Sequence, residues 1–177
     1  GLLKKNKVDY VEGEARFLSA HEVEVGGSKK LTADNIIIAT GSRPREIPGF
    51  EIDEKEVLSS TGILSLQELP EKLVILGAGA IGMEFAYVMN AFGVEVTVVE
   101  MLESILPLED ADVVEVVRKD FKSHGITMMT STKATALERG KKGLTITVED
   151  KDGKSKKLEA DKLLVAGGRA PNTENLG

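Results

Sequence analysis

The chain has no cysteine and no tryptophan, and its 177 residues include only two histidines, two tyrosines and five phenylalanines. Without thiols, these residues can form no disulfide staple, thiolate nucleophile, thiolate metal site or redox-active cysteine pair. With only His21 and His124, a histidine metal cluster is unsupported as well, and no metal site is expected. Long apolar runs are missing too. Nothing approaches the roughly 20 residues that span a bilayer, and no signal peptide is visible, so a soluble, cytoplasmic protein is expected. Positive charge is also in short supply: 23 Lys and Arg against 29 Asp and Glu leave a net charge of −6. No nucleic-acid partner and no anionic-membrane partner is expected of such a balance. Lys4, Lys5 and Lys7, and Lys154, Lys156 and Lys157, read as solvated edges and turns.

What is present is small and branched. With 41% apolar content and so few aromatics, the core must be built from Val, Ile, Leu and Ala, with 18 glycines for turns. That chemistry suits a parallel sheet covered by helices. The length allows one ordinary core with an appendage.

The most informative segment is LVILGAGAIGMEFAYVMNAFGVEVTVVE, Leu73 to Glu100. It reads as an apolar strand, a glycine turn, a helix-period segment, a second strand and a carboxylate. Gly77, Gly79 and Gly82 are spaced G-x-G-x-x-G, and Glu100 lies 18 positions after Gly82. Gly77 permits the tight turn, Gly79 leaves room for a pyrophosphate to approach backbone, and Gly82 lets helix and strand pack closely. The run Gly77, Ala78, Gly79, Ala80, Ile81, Gly82 then offers unpaired amides and the positive end of a helix dipole to phosphates. Ile81, Phe85, Val88, Met89 and Phe92 are expected to share the buried stripe of that helix. Glu100 can accept hydrogen bonds from the two adenine-ribose hydroxyls. Its charge would repel a 2′-phosphate, and no Arg or Lys occurs between it and Arg118; NAD is therefore expected over NADP.

A second signature is a repeat. LTADNIIIATGSRP (Leu31 to Pro44) matches LEADKLLVAGGRAP (Leu158 to Pro171) at six of fourteen positions, 127 residues apart. Each copy follows a turn, Gly26-Gly27 or the Asp152-Gly153 pair, and each is expected to be a buried strand ending in a small-residue loop. Two similar domains are implied. The second copy closes a unit whose glycine fingerprint is present. The first would close a unit whose fingerprint lies upstream, so the chain, which starts at a glycine, is expected to be a piece of something longer.

The expected domain plan is a partial domain over 1–45, a dinucleotide-binding domain over 46–171, and the start of a connection to a further domain over 172–177. Val8 to Ala15 reads as a strand, and Arg45 to Leu69 as a Pro- and Gly-punctuated linker. Asp110 or Asp112 can cap a helix that carries Val113, Val117 and Phe121 inward and ends at Gly125. Ile126 to Met129 is a third strand. Thr135 to Leu137, Leu144 to Val148 and Lys156 to Val165 make a meander and closing strand. The fold class is α/β, Rossmann-like, with a β-meander and an N-terminal hairpin remnant of a second domain.

GAGAIGMEFA, the acid after VTVVE, ILPLEDADV, ATGSRP and AGGRAPN together resemble the flavin-dependent pyridine nucleotide–disulfide oxidoreductases, most nearly their dihydrolipoamide dehydrogenase branch. The likeness covers essentially the whole chain. It implies similar folds for an FAD domain and an NAD domain, hence the repeat. It also places the NAD pyrophosphate over Gly77 to Gly82, Ala134 and Gly168 near the far portions of that cofactor, and Thr40, Gly41 and Ser42 against FAD. By the same resemblance Glu84 lies beside nicotinamide and flavin as a catalytic residue, paired with a lysine in an upstream domain. A first-turn Glu would also gain about 0.3–1 kcal/mol from the helix dipole alone.

The implied intact enzyme passes electrons from a dithiol, on a dihydrolipoyl-bearing protein, through a disulfide and FAD to NAD as hydride. An upstream FAD/disulfide domain and a downstream dimerisation domain would complete it, and a homodimer is expected. These residues hold neither the cysteine pair nor a histidine–glutamate pair, and His21 and His124 have no motif partner. The fragment itself is therefore expected to bind NAD(H), to retain no FAD and not to turn over. The residues leave open another NADH-dependent member (an NADH oxidase, a mercuric reductase or a related disulfide reductase) and a stand-alone, non-catalytic NAD(H)-sensing module. A short-chain dehydrogenase is disfavoured, since neither Tyr10 nor Tyr87 has a Lys four residues later to lower its pKa.

Overall fold

A computed structural model describes residues 1–141 and 143–177. The chain divides into two compact units, Gly1–Arg43 with Pro171–Gly177, and Pro44–Ala170.

The first unit holds a short helix α1 (Leu2–Lys5) and an antiparallel meander of β1 (Ala15–Ser19), β2 (Glu22–Val25) and β3 (Lys29–Thr32). Gly26 and Gly27, both at positive φ, turn β2 into β3. The chain leaves and re-enters through extended segments β4 (Ser42–Pro44) and, much later, β13 (Arg169–Pro171). Two expectations fail here. Val8–Gly13 forms no strand; the strand starts at Ala15. Ile36–Ile38 is neither strand nor buried, and Ile37 is 89% exposed. Its sequence twin Leu163–Val165 is a fully buried strand. The difference is one of neighbours: β12 has a parallel partner on each side, whereas among the described residues the first copy has none.

The second unit is built on a five-stranded parallel sheet, in the order β5 (Val57–Leu58), β12 (Lys162–Val165), β6 (Lys72–Leu76), β7 (Glu95–Val99), β8 (Thr127–Met129). The linker expected over 45–69 therefore supplies an edge strand and a helix, α2 (Ser60–Leu64). The Ser59 hydroxyl accepts from the Thr61 and Gly62 amides to cap that helix. Side-chain alternation gives the sheet two dry faces. Leu73 and Ile75 join the core beneath α3 (Ala80–Ala91) and α4 (Ala111–Ser123). Val74, Leu76, Val99, Leu163 and Val165 join a second core with Leu144, Ile146, Val148 and Leu158. Those last residues belong to an antiparallel meander of β9 (Thr132–Gly140), β10 (Gly143–Asp150) and β11 (Ser155–Ala160).

Details of the helices differ from the sequence pattern. The buried side of α3 is Gly82, Met83, Ala86 and Met89, whereas Val88 and Phe92 are exposed. Glycine is required at 82, where a Cβ would collide with the Gly77 carbonyl, while Met83 and Met89 fill the core on either side of Ala86. In α4, Val114 is buried and Val113 is not; Val117 and Phe121 pack as expected. Asp110 occupies the N-cap position without a side-chain capping bond. The expected run 156–165 is broken at Asp161, whose carboxylate accepts from the Lys72 amide (2.8 Å) while its own amide donates to the Lys72 carbonyl (3.0 Å). That corner turns the meander into the parallel sheet.

Candidate functional site

The site lies at the carboxyl ends of β6, β7 and β12, where an open parallel sheet leaves a crevice. A cavity of about 420 Å³ opens there, bounded by Gly77, Gly79, Glu100, Met101, Thr132, Ala134, Gly167 and Gly168, among others.

The three glycines serve three different ends. Gly77 has φ +106°, and a Cβ on it would lie 2.5 Å from the Ala166 carbonyl oxygen, so any side chain there collides with the loop after β12. A Cβ on Gly82 would lie 2.0 Å from the Gly77 carbonyl oxygen; bare backbone lets α3 settle against its own turn. At Gly79 the backbone is extended (φ −72°, ψ −178°), and a Cβ would meet nothing within 4 Å. Neither strain nor packing asks for glycine at 79, so what the missing side chain leaves is open room beside the helix end. No side chain caps α3, whose first turn also contains no acid. Among the described residues its leading amides thus have no side-chain acceptor, and the N-cap Gly79 lines the cavity.

Glu100 closes the other side. Its Oε2 accepts from the Ala78 amide (2.7 Å) and its Oε1 from the Leu102 amide (2.9 Å). The carboxylate is thereby tied to the glycine turn as well as aimed at the crevice. A carboxylate has about four lone-pair sites, which leaves one on each oxygen for an incoming hydroxyl. Ala78 itself is fully buried, and its amide is spent on Glu100. The Ala78 carbonyl accepts from Leu106 (2.7 Å), a residue at φ +47°, so the loop after β7 is latched to the same turn.

Of the residues singled out from sequence, Gly77, Gly79, Glu100, Ala134 and Gly168 come together around this cavity. Ala80 and Ile81 begin α3 beside it. Glu84 is exposed and is the fifth helical residue, beyond the first turn, so the dipole contributes little to it. Among the described residues its carboxylate has no hydrogen-bonding partner. Thr40, Gly41 and Ser42 belong to the other unit and are exposed. There the Thr40 hydroxyl donates to the Asn172 carbonyl, the Asn172 amide donates to the Gly41 carbonyl, and Arg43 pairs with Glu174. The Arg43 guanidinium holds the Glu174 carboxyl down to about 2. Sequence reasoning missed Arg45, Ile47, Met101, Thr132 and Gly167. The doubled glycine of AGGR signalled Gly167; the others carry no local motif and reach the cavity only through the fold.

The sheet order, glycine turn and strand-end acid define an α/β protein of the Rossmann-like dinucleotide-fold class. Comparison with known proteins carries this further: the family model described as pyridine nucleotide-disulphide oxidoreductase matches residues 1–177, and the chain belongs to that family. It is 46% identical over 180 residues to a dihydrolipoyl dehydrogenase of Mycobacterium tuberculosis, covering 99% of this chain and 38% of that protein. Among solved structures, LpdA from M. tuberculosis superposes with a TM-score of 0.84 at 29% identity, over 99% of this chain and 39% of the other. The HOCl-induced flavoprotein disulfide reductase RclA from Escherichia coli gives 0.77 at 31% identity, over 96% and 38%. The chain thus spans well under half the length of the relatives it matches. Among the described residues, no helix is long and apolar enough to cross a membrane.

Proposed function

We propose that the cavity at the ends of β6, β7 and β12 binds NAD(H), and that the chain is the NAD(H)-binding portion of a dihydrolipoyl dehydrogenase-like flavoenzyme. In this reading residues 1–45 belong to an FAD domain, 46–171 form the NAD domain, and 172–177 lead toward a dimerisation domain. The observation that carries the reading is the uncapped α3 N-terminus, opened by Gly79 and flanked by an anchored Glu100. Diphosphate oxygens would take the free amides and the dipole end of α3. The ribose hydroxyls would donate to the two remaining lone pairs of Glu100. Ala134 and Gly168 would bound the rest of the dinucleotide, and Thr40, Gly41 and Ser42 would meet FAD.

With both cofactors bound, the chemistry available would be hydride transfer from a flavin, reduced by a dithiol through a disulfide, to the nicotinamide. The residues of this chain contribute orientation and charge placement rather than the redox chemistry. Glu84 would stand on the exposed face of α3 toward that junction, held by a lysine of the FAD domain. A 2′-phosphate would sit against the Glu100 carboxylate and be repelled, so NADH should bind more tightly than NADPH.

Calorimetric titration tests the proposal. NADH should bind, NADPH should bind at least tenfold more weakly, a loss of about 1.4 kcal/mol, and Glu100→Gln should weaken NADH. A folded sample that gives no heat with millimolar NADH would remove the reading.

A further inference from the structure

We propose that Arg45, which lines the same cavity as the glycine turn before α3, is a second anchor for the dinucleotide's diphosphate; the proposal rests on the NAD(H) reading of that cavity. A cation in the site would add to what the helix end supplies. A diphosphate carries about two negative charges, while a helix end supplies roughly half a positive charge. Glu100 adds a further negative charge to the same walls, and one of the turn's amides, that of Ala78, is already committed to it. Among the described residues, Arg45 is the one cationic residue that lines the cavity.

Its placement is fixed from both sides. The Arg45 amide donates to the Gly168 carbonyl (3.0 Å), which pins the backbone to the loop after β12. Two residues on, Ile47 packs on the second core, and a Cβ at Gly167 would come 3.0 Å from its Cδ1. Segment 45–47 is therefore held against the loop after β12, where Arg45 and Ile47 line the same cavity as Glu100. Among the described residues, Arg16, Arg43 and Arg139 are each neutralised by carboxylates, whereas the Arg45 guanidinium has no such partner. Arg118 on α4 also has no carboxylate partner among the described residues but does not line the cavity, so Arg45 is the arginine placed to meet an anion there. The planar, weakly hydrated guanidinium matches phosphate oxygens in a bidentate fork, which a backbone amide cannot do.

The test is titration of NADH, ADP-ribose and adenosine into the chain, as wild type, Arg45→Ala and Arg45→Lys, at two salt concentrations. Arg45→Ala should weaken NADH and ADP-ribose by about tenfold, flatten their salt dependence, and leave adenosine unchanged. Arg45→Lys should recover part of the loss. Unchanged NADH affinity in Arg45→Ala, or an equal loss for adenosine, would overturn the assignment. Absence of NADH binding by the wild type would instead remove the cavity reading, and this inference with it.

Discussion

At the scale of single residues, the glycines of the turn separate folding from binding. Gly82→Ala drives a methyl into the Gly77 carbonyl, and overpacking of that kind costs about 1–3 kcal/mol. Gly79→Ala meets nothing in the protein and needs no unusual backbone angle, so stability should change by less than about 0.5 kcal/mol. Its methyl would occupy the room a diphosphate needs. Urea unfolding and NADH titration of both variants check the contrast: Gly82→Ala should shift the unfolding midpoint, and Gly79→Ala should lose NADH at an unchanged midpoint. The reverse pattern would exclude a ligand at this turn. Gly77, Gly79 and Gly82 were all legible in the sequence. That Gly79 alone is free of packing demands came only from its surroundings in space.

At the scale of elements, an ion cluster ties the segment before β5 to the meander. Arg139 on β9 donates to Asp53 (2.6 Å) and Glu56 (2.7 Å). Asp53 also accepts from the amides of Lys55, Glu56 and Val57. Partial burial pushes the Asp53 carboxyl up, but the three amides and the guanidinium outweigh it and hold the group well below the usual range. The folded state then binds that proton less tightly than the unfolded chain, whose value is about 3.9. The stabilisation is complete above that value and is lost as pH falls from it toward the folded one. Urea midpoints measured from pH 5 down to pH 2 should fall in the wild type and fall less steeply in Asp53→Asn; equal slopes would count against the cluster. None of this was visible along the chain, because Asp53 and Arg139 are brought together only by sheet topology.

At the scale of the whole molecule, the 36–38 run, with Ile37 and Ile38 exposed, is a liability. An apolar segment without ladder partners invites pairing with another chain. The chain should therefore self-associate, and Ile37→Lys should reduce the association by adding charge to the exposed run. Light scattering over a wide concentration range checks this, a clean monomer throughout being the contrary result. The sequence by itself determined the strand–turn–helix–strand–acid order of 73–100, the meander, and the repeat of 31–44 in 158–171, because periodicity and glycine spacing act over short distances. Tertiary structure alone decided the rest. It made one copy of the repeat a buried strand, since only Leu163–Val165 has β5 and β6 beside it. It also set the Gly82, Met83, Ala86 and Met89 side of α3 into the core, tied Glu100 to the Ala78 amide, and brought Arg45 to the cavity wall. Each of these depends on which distant segment lies alongside, a matter of packing and hydrogen-bond partners that no local pattern encodes.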